Sequence, residues 1–389
     1  MITEYYYNIV GGCIAFGSII GSFPFRWSYK NRKIYASTQN EWINQFFIFM
    51  FYLPHYILQT IKVIWFQICG DFNSIPILYI AWVFATAILI QAMVQIFKLT
   101  DIRRMFTLFN KYLIDFKVSF IRDHDRRTLL KMRILDMLST CCMGCIVIGV
   151  CFGTFHHAIF PSDPTYVGSL IAEQDLNIPL VYFTLVFGYF TGLVFMFTLV
   201  GLQVNVMMTY TYVMAIVLLP EFRTGRQQSK YESVNTLRTF QKLPLQYRCL
   251  QLLHSAYLNV GACLIVPLQA LGTNHILFCN FTLITKWENM KDFNKFMLIT
   301  WSVVGMVFIA GLLDCAGKLC SIGEKTLVSW KFHDWGSPWR NKHMAKFRKS
   351  CKPIRVHYGN SYTIRKVTVL KFLRGIVRGT FRSLLTLKT

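Results

Sequence analysis

Apolar residues come along this chain in long, charge-poor blocks. Six of them have the length a transmembrane helix needs, about 20 residues to cross about 30 Å of hydrocarbon at 1.5 Å per residue. They are 43–66, 75–97, 138–160, 178–203, 252–271 and 296–313. Two further blocks are less plain. Residues 5–23 are uncharged and rich in Gly and Tyr, and are predicted as an N-terminal helix or a re-entrant segment. Val367–Leu387 is apolar but carries Lys371, Arg374, Arg378 and Arg382. The uncharged run 178–220 is long enough for two spans with a turn near Asn205. Two spans there would carry the basic residues of 221–251 to the opposite side, so the pattern predicts one crossing whose helix continues through Met207 to Leu219.

The polar connections between blocks fix the sidedness, because Lys and Arg accumulate in cytoplasmic loops. Residues 1–42, 98–137, 221–251 and 315–366 together hold 32 of the 41 basic residues, whereas the alternate connections and the tail after Leu387 hold four. The N-terminus is therefore expected in the cytoplasm and, if Val367–Leu387 crosses, the C-terminus outside. The expected fold class is an all-α membrane protein with seven transmembrane helices. It divides into a cytoplasmic segment (1–42), a six-helix membrane bundle (43–314), a basic cytoplasmic stretch (315–366) and a last helix with an external tail (367–389).

Composition agrees with a chain that has the bilayer as its solvent. Of its 389 residues 54% are hydrophobic and 15% charged, where soluble domains carry about 25% charged. The net charge of +23 would point to nucleic acid in a soluble protein; here it reports orientation, and no nucleic-acid partner is expected. Of twelve cysteines only Cys142 and Cys145 form a CxxC, inside an apolar run without a second pair, so neither a zinc site nor a disulfide framework is supported. Cys69 and Cys279 lie in connections expected outside, where they could pair. The only Asn-X-Ser/Thr acceptor, Asn280, falls in the same external connection and marks a candidate glycosylation site.

No dinucleotide, Walker, nucleophile-elbow or HExxH motif occurs, so no enzymatic activity, cofactor or metal is expected. His156 and His157 point about 100° apart on a helix and have no second ligand cluster, which favours a pocket-lining or interfacial pair over a metal site. Asp136 and Asp314 lie at inner span ends, not at the depth or in the repeats of a transporter. The Asp-Arg-Arg at 125–127 precedes the third span, the reverse of its place in G-protein-coupled receptors. What remains is a bundle with large cytoplasmic connections, short outer loops and aromatic-rich outer halves, which suits a small-molecule sensor. Helix direction places Tyr79, Trp82, Phe155, His156, Tyr182, Phe183, Phe187 and Trp301 in those halves as a candidate pocket; lipid belt or helix packing is the competing reading of such a stripe.

Seven spans, a cytoplasmic N-terminus and an external C-terminus resemble the arthropod gustatory and odorant receptor superfamily. Phe23-Pro24-Phe25-Arg26-Trp27 is similar to the segment before the first span of gustatory members. Pro353 to Tyr362, Ile364-Arg365-Lys366 and the closing Ser383-Leu384-Leu385-Thr386 are similar to the approach and end of the family's final helix, in a divergent, springtail-like form. The sequence likeness covers about a tenth of the chain. The gustatory signature of the last helix, Thr-Tyr followed by Gln-Phe, is absent, with Gly379-Thr380-Phe381-Arg382 in its place.

The resemblance implies a homo- or heterotetrameric, ligand-gated, non-selective cation channel in the plasma membrane of a sensory neuron. It further implies a tastant or odorant bound in the outer half of the bundle, a pore lined by Val367–Leu387 with its constriction near Leu384 and Leu387, and an anchor in which Trp330, Trp335 and Trp339 pack between subunits. Lys371, Arg374, Arg378 and Arg382 share one helix face, and each charge costs at least about 2.5 kcal/mol in hydrocarbon. Three arrangements stay open. The basic face lines the pore; or it pairs at subunit contacts while Phe372, Ile376, Thr380, Leu384 and Leu387 line the pore; or the helix lies on the anionic inner leaflet. A non-conducting accessory protein and a secondary transporter are the alternatives to a receptor channel.

Overall fold

Every long apolar block becomes helix, since a chain in hydrocarbon must satisfy its backbone polar groups within itself. The computed structural model describes residues 3–20, 25–30, 33–36, 39–69, 75–122, 126–163, 166–171, 173–225, 227, 231–288, 290, 292–358 and 362–387. In chain order the elements are α1 (Glu4–Ile19), β1 (Phe25–Ser28), β2 (Lys33–Ala36), α2 (Gln39–Cys69), α3 (Ile75–Phe120), α4 (Arg126–Ile159), α5 (Glu173–Leu176), α6 (Pro179–Tyr212), α7 (Lys242–Thr285), α8 (Asp292–Ser329), α9 (Pro338–Ser350), β3 (His357–Tyr358), β4 (Tyr362–Thr363) and α10 (Val367–Leu387). Four helical stretches among the described residues are long and apolar enough to cross a membrane: Ala81–Phe120, Leu129–Ile159, Pro179–Phe222 and Asp292–Phe332. The blocks at 43–66 and 252–271 lie in α2 and α7.

Several helices outrun a bilayer. The 46 residues of α3 extend about 69 Å at 1.5 Å per residue, and the helix bends at Lys98, whose φ of −114° and ψ of 19° leave the helical region. Asn205 sits inside α6, which begins with a proline in its first turn and runs without a break through the position considered for a turn. It continues as a π-helical turn, Val213–Leu218, and a 3₁₀ turn, Leu219–Phe222.

At the N-terminus the Thr3 hydroxyl caps α1, accepting from the Tyr6 amide at 3.0 Å, and donates to Asp136 of α4. Tyr6, Tyr7, Val10 and Ile14 are buried where α1 packs on α4, α6 and β1. The antiparallel β1–β2 pair sets Phe25 opposite Ala36 and Arg26 opposite Tyr35. Trp27 of β1 stacks on Tyr7 at 6.2 Å and comes so close to α1 that a Cβ at Gly11 would lie 2.3 Å from its Nε1. Phe23 and Pro24 of the same motif lie outside the described residues.

The external connection expected at 272–295 is corrected. α7 runs to Thr285, about four turns beyond the predicted span end at 271, because its apolar and small residues continue. Cys279 and Asn280 are therefore helical. Cys279 is buried, with Sγ 3.7 Å from His275 Nε2, while Cys69 is exposed at the end of α2, and both are free thiols.

Candidate ligand site and pore helix

The two ends of the bundle are built differently. At the end where α4 closes and α6 begins, the loop between them folds inward. Tyr166 from this loop is buried against His156 and His157 of α4. Its hydroxyl bonds His156 Nδ1, and its ring lies 4.4 Å from His157 and 4.9 Å from Tyr189 of α6. The other face of His156 stacks on Phe293 of α8, centroids 5.1 Å apart at 13°. His157 also meets Tyr189 at 4.6 Å.

Lys62 of α2 reaches the same loop. Its Nζ donates to the Tyr166 carbonyl at 2.9 Å and to Ser169 Oγ at 2.7 Å, bonds that replace part of the hydration an ammonium loses on burial. His157 Nδ1 is buried without a hydrogen-bond partner among the described residues. Four helices and a loop thus bring together aromatic faces, one cation and one open ring nitrogen. This composition suits a small molecule with an apolar body and a hydrogen-bonding group.

The residues expected in one pocket do not form one. Only His156 belongs to this cluster. Tyr79 and Trp82 make a neighbouring aromatic group on α3: Tyr79 lies 4.2 Å from Phe278 of α7, and Trp82 Nε1 donates to Thr60 Oγ1 of α2 at 3.0 Å, two residues from Lys62. Trp301 packs in a small separate core with Cys279 and Leu298. The Tyr182 hydroxyl donates to the Ala158 carbonyl at 2.8 Å, tying α6 to α4. Phe155, Phe183 and Phe187 are 62%, 67% and 68% exposed and turn away from the bundle. Helical direction sorts residues by depth but leaves their rotation about the axis open, and Phe183 and Phe187, four apart, share an outward face.

The cluster also holds residues that the pattern did not single out: Lys62, Tyr166, Ser169, Tyr189 and Phe293. Lys62 carried a signal, as the single charge in its apolar block. Tyr166, on a loop without periodicity, carried none.

α10 presents three faces. Phe372 and Ile376, 7% and 3% exposed, pack into the chain's own α7 and α8, and a Cβ at Gly379 would lie 2.7 Å from Leu277 Cδ2. Asn280 joins three helices here: its Nδ2 donates to Thr380 Oγ1 at 3.4 Å and its Oδ1 accepts from Ser302 Oγ at 2.6 Å. Phe372, Ile376 and Thr380 are thus turned into the protomer, which corrects their expected exposure to a central pore. A helix has one packing face, and these apolar and small residues define it. Leu384 is half-buried, and the Leu387 side chain lies outside the described residues. The second face carries Lys371, Arg374, Arg378 and Arg382, all exposed and without an ion pair among the described residues. The third carries Leu370, Val377, Phe381 and Leu385, also exposed.

At the opposite end α6, α7 and α8 converge on a dense junction. Buried Glu221 accepts at Oε2 from the amides of Glu232 and Ser233, at 3.0 and 2.9 Å, and from Ser233 Oγ at 2.7 Å. Arg238 Nη1 donates to Ser233 Oγ at 2.7 Å and to the Glu221 carbonyl at 3.3 Å. Glu232 in turn pairs with Lys131 at 2.6 Å. Trp330 Nε1 donates to the Phe222 carbonyl at 2.8 Å, and its ring meets Tyr247 edge-on at 4.9 Å; burial pushes the Tyr247 phenol up. Trp330 and Trp335 are therefore buried in their own chain, which corrects the expected packing between subunits for these two; Trp339 is exposed. Beyond the junction, Asp334 Oδ1 accepts from the Gly336 amide and from Asn341 Nδ2, each at 3.0 Å. Those bonds hold its carboxyl below the usual range.

No protein-family model matches the sequence, and no curated protein matches it. The fold does match solved structures. The insect olfactory receptor OR5 from Machilis hrabei superposes with a TM-score of 0.64 at 9% identity, over 97% of this chain and 96% of that one. The same receptor in complex with eugenol gives 0.63 at 10% identity, over 98% and 100%. Nearly the whole chain thus shares the all-α fold of that olfactory receptor.

Proposed function

We propose that the chain is a chemosensory receptor of the insect superfamily, of gustatory type, acting as a ligand-gated ion channel in the plasma membrane. In this reading all six bundle helices and α10 cross the bilayer, the N-terminus is cytoplasmic and the C-terminus external, and four subunits surround a pore. The observation that carries the reading is the coincidence of a full-length receptor fold with a buried aromatic and polar cluster at the end that the basic loops assign to the outside. The eugenol complex of the neighbour supports a ligand of similar size and chemistry: an aromatic or aliphatic body bearing a hydrogen-bonding oxygen. Lys62 and His157 would meet that oxygen, with Tyr166, Tyr189 and Phe293 around the body.

Because Phe372 and Ile376 pack inward, the pore-facing side of α10 in this proposal is its outward surface, where Leu370, Val377, Phe381 and Leu385 adjoin the basic face. Whole-cell recording from cells expressing the chain, with a panel of tastants and phenolic odorants, tests the reading. A ligand-evoked current that Lys62→Leu abolishes supports it. Ligand uptake against a gradient without current would replace it with a transporter, and neither response would leave an accessory protein. Exchange of external chloride for gluconate at the reversal potential then separates cation from anion conduction. Epitope tags on both termini of intact cells test the sidedness: the C-terminal tag should bind antibody and the N-terminal one should not.

A further inference from the structure

Just past the bend in α3, the helix and the β1–β2 hairpin enclose a groove of about 520 Å³. Thr100, Arg103, Arg104, Thr107 and Leu108 of α3 line it together with Ile34 and Tyr35 of β2. Among the described residues the lining has two guanidiniums and three hydroxyls and no carboxylate. Asp101, the nearest acid along the chain, is already paired with Lys98 at 3.5 Å. Both guanidiniums are exposed and line the one groove, and the planar guanidinium fork matches phosphate oxygens two at a time.

Depth narrows the choice of anion. Arg103 lies five residues beyond Lys98, about 7.5 Å along the helix. The headgroup layer occupies about 5–8 Å on each side of the hydrocarbon. With the predicted span ending at residue 97, the groove opens at the level of inner-leaflet headgroups, and exposed Tyr35 and Leu108 flank it as apolar residues do at a membrane interface.

We propose that this groove binds the phosphomonoester headgroup of an inner-leaflet phospholipid, of which a phosphatidylinositol bisphosphate is the chemical type. The choice of a membrane lipid as the source rests on the orientation proposed above; the phosphate chemistry does not. Occupancy would brace the hairpin against α3 at the bend.

The test uses the purified full-length chain in detergent and a short-chain fluorescent phosphatidylinositol bisphosphate, read by anisotropy. The double change Arg103→Ala/Arg104→Ala should weaken binding by about tenfold or more, the loss of two charge-assisted contacts. Lys346→Ala/Lys349→Ala on exposed positions of α9, the same change in charge elsewhere, should leave it within about twofold. Equal losses in both variants, or none in either, would overturn the site. Tighter binding of soluble inositol phosphate than of the lipid would overturn the membrane source. A second measurement needs no variant: hydrogen exchange of the wild-type chain should slow over residues 100–108 on adding the lipid and stay unchanged over α9, and no protection at 100–108 refutes the proposal. Neither readout involves current, so this site and the channel reading fail separately.

Discussion

The cluster around Tyr166 and the junction around Glu221 are both buried and polar, yet they are held together by different means. At the junction one carboxylate oxygen takes three donors from a single short segment, while Arg238 and the Glu232–Lys131 pair tie that segment to neighbouring helices. Around Tyr166 the ties are fewer and run through two loop residues, Tyr166 and Ser169, and a ring nitrogen of His157 is left over. Fully satisfied networks specify one arrangement, whereas partly satisfied ones leave polar groups open to another partner. The proposed receptor reading uses this difference, with the satisfied end as anchor and the open end as sensor.

The largest effect that would break this contrast belongs to Glu221→Ala. It strands two amides and a hydroxyl in a buried site, at a cost of roughly 3–5 kcal/mol, while Arg238 keeps its bonds to Ser233 and to the backbone carbonyl at 221. The folded peak in fluorescence-detected size exclusion should be lost, and its survival would show that the junction is not the anchor. Gly323→Ala ranks next. A Cβ there would lie 2.5 Å from the Ile354 carbonyl oxygen, a backbone atom that cannot swing aside. A loss of about 1–3 kcal/mol is expected, seen as a lower melting temperature with ligand response unchanged.

At the other end Tyr166→Phe removes only the hydroxyl bonded to His156, worth about 0.5–1.5 kcal/mol. The melting temperature should move little, while the half-maximal ligand concentration falls by up to about tenfold as the loop lets go more easily. Unfolding by this change with no shift in response would invert the comparison.

Smallest is the pH effect at Asp334. Its folded pKa lies below the ordinary value of 3.8, so the stabilisation is present above that value and disappears as pH falls through the folded pKa. Asp334→Asn should lower the melting temperature slightly at neutral pH, and the gap from wild type should close in acid.

Much of the scaffold was legible because membrane burial imposes a length rule that a single sequence displays. The blocks at 138–160 and 178–203 match α4 and α6 to within one residue at the shared end, and the uncharged run through Asn205 is continuous helix. Rotation about the helix axis was not legible. Phe155 and His156 are neighbours in sequence, and one faces outward while the other is buried. On α10 the basic stripe at 371, 374, 378 and 382 was readable from spacing alone, but which remaining face packs inward depended on Gly379 meeting Leu277 and Thr380 meeting Asn280, contacts about 100 residues apart in the chain. The helix end at Thr285 was missed because the hydropathy window closed before the helix did.

The π turn at Val213–Leu218 has a mechanical consequence. Such a turn holds one residue more than a regular helical turn, a surplus that can migrate along the helix without breaking it. Passing it one residue along turns only the residue it passes, by about 100°, and leaves the segments on either side in register. On α6 the surplus sits directly before Glu221, among the buried Val213, Met214, Ala215, Val217 and Leu218. A step of this kind would re-aim one buried side chain beside the junction without moving the rest of α6.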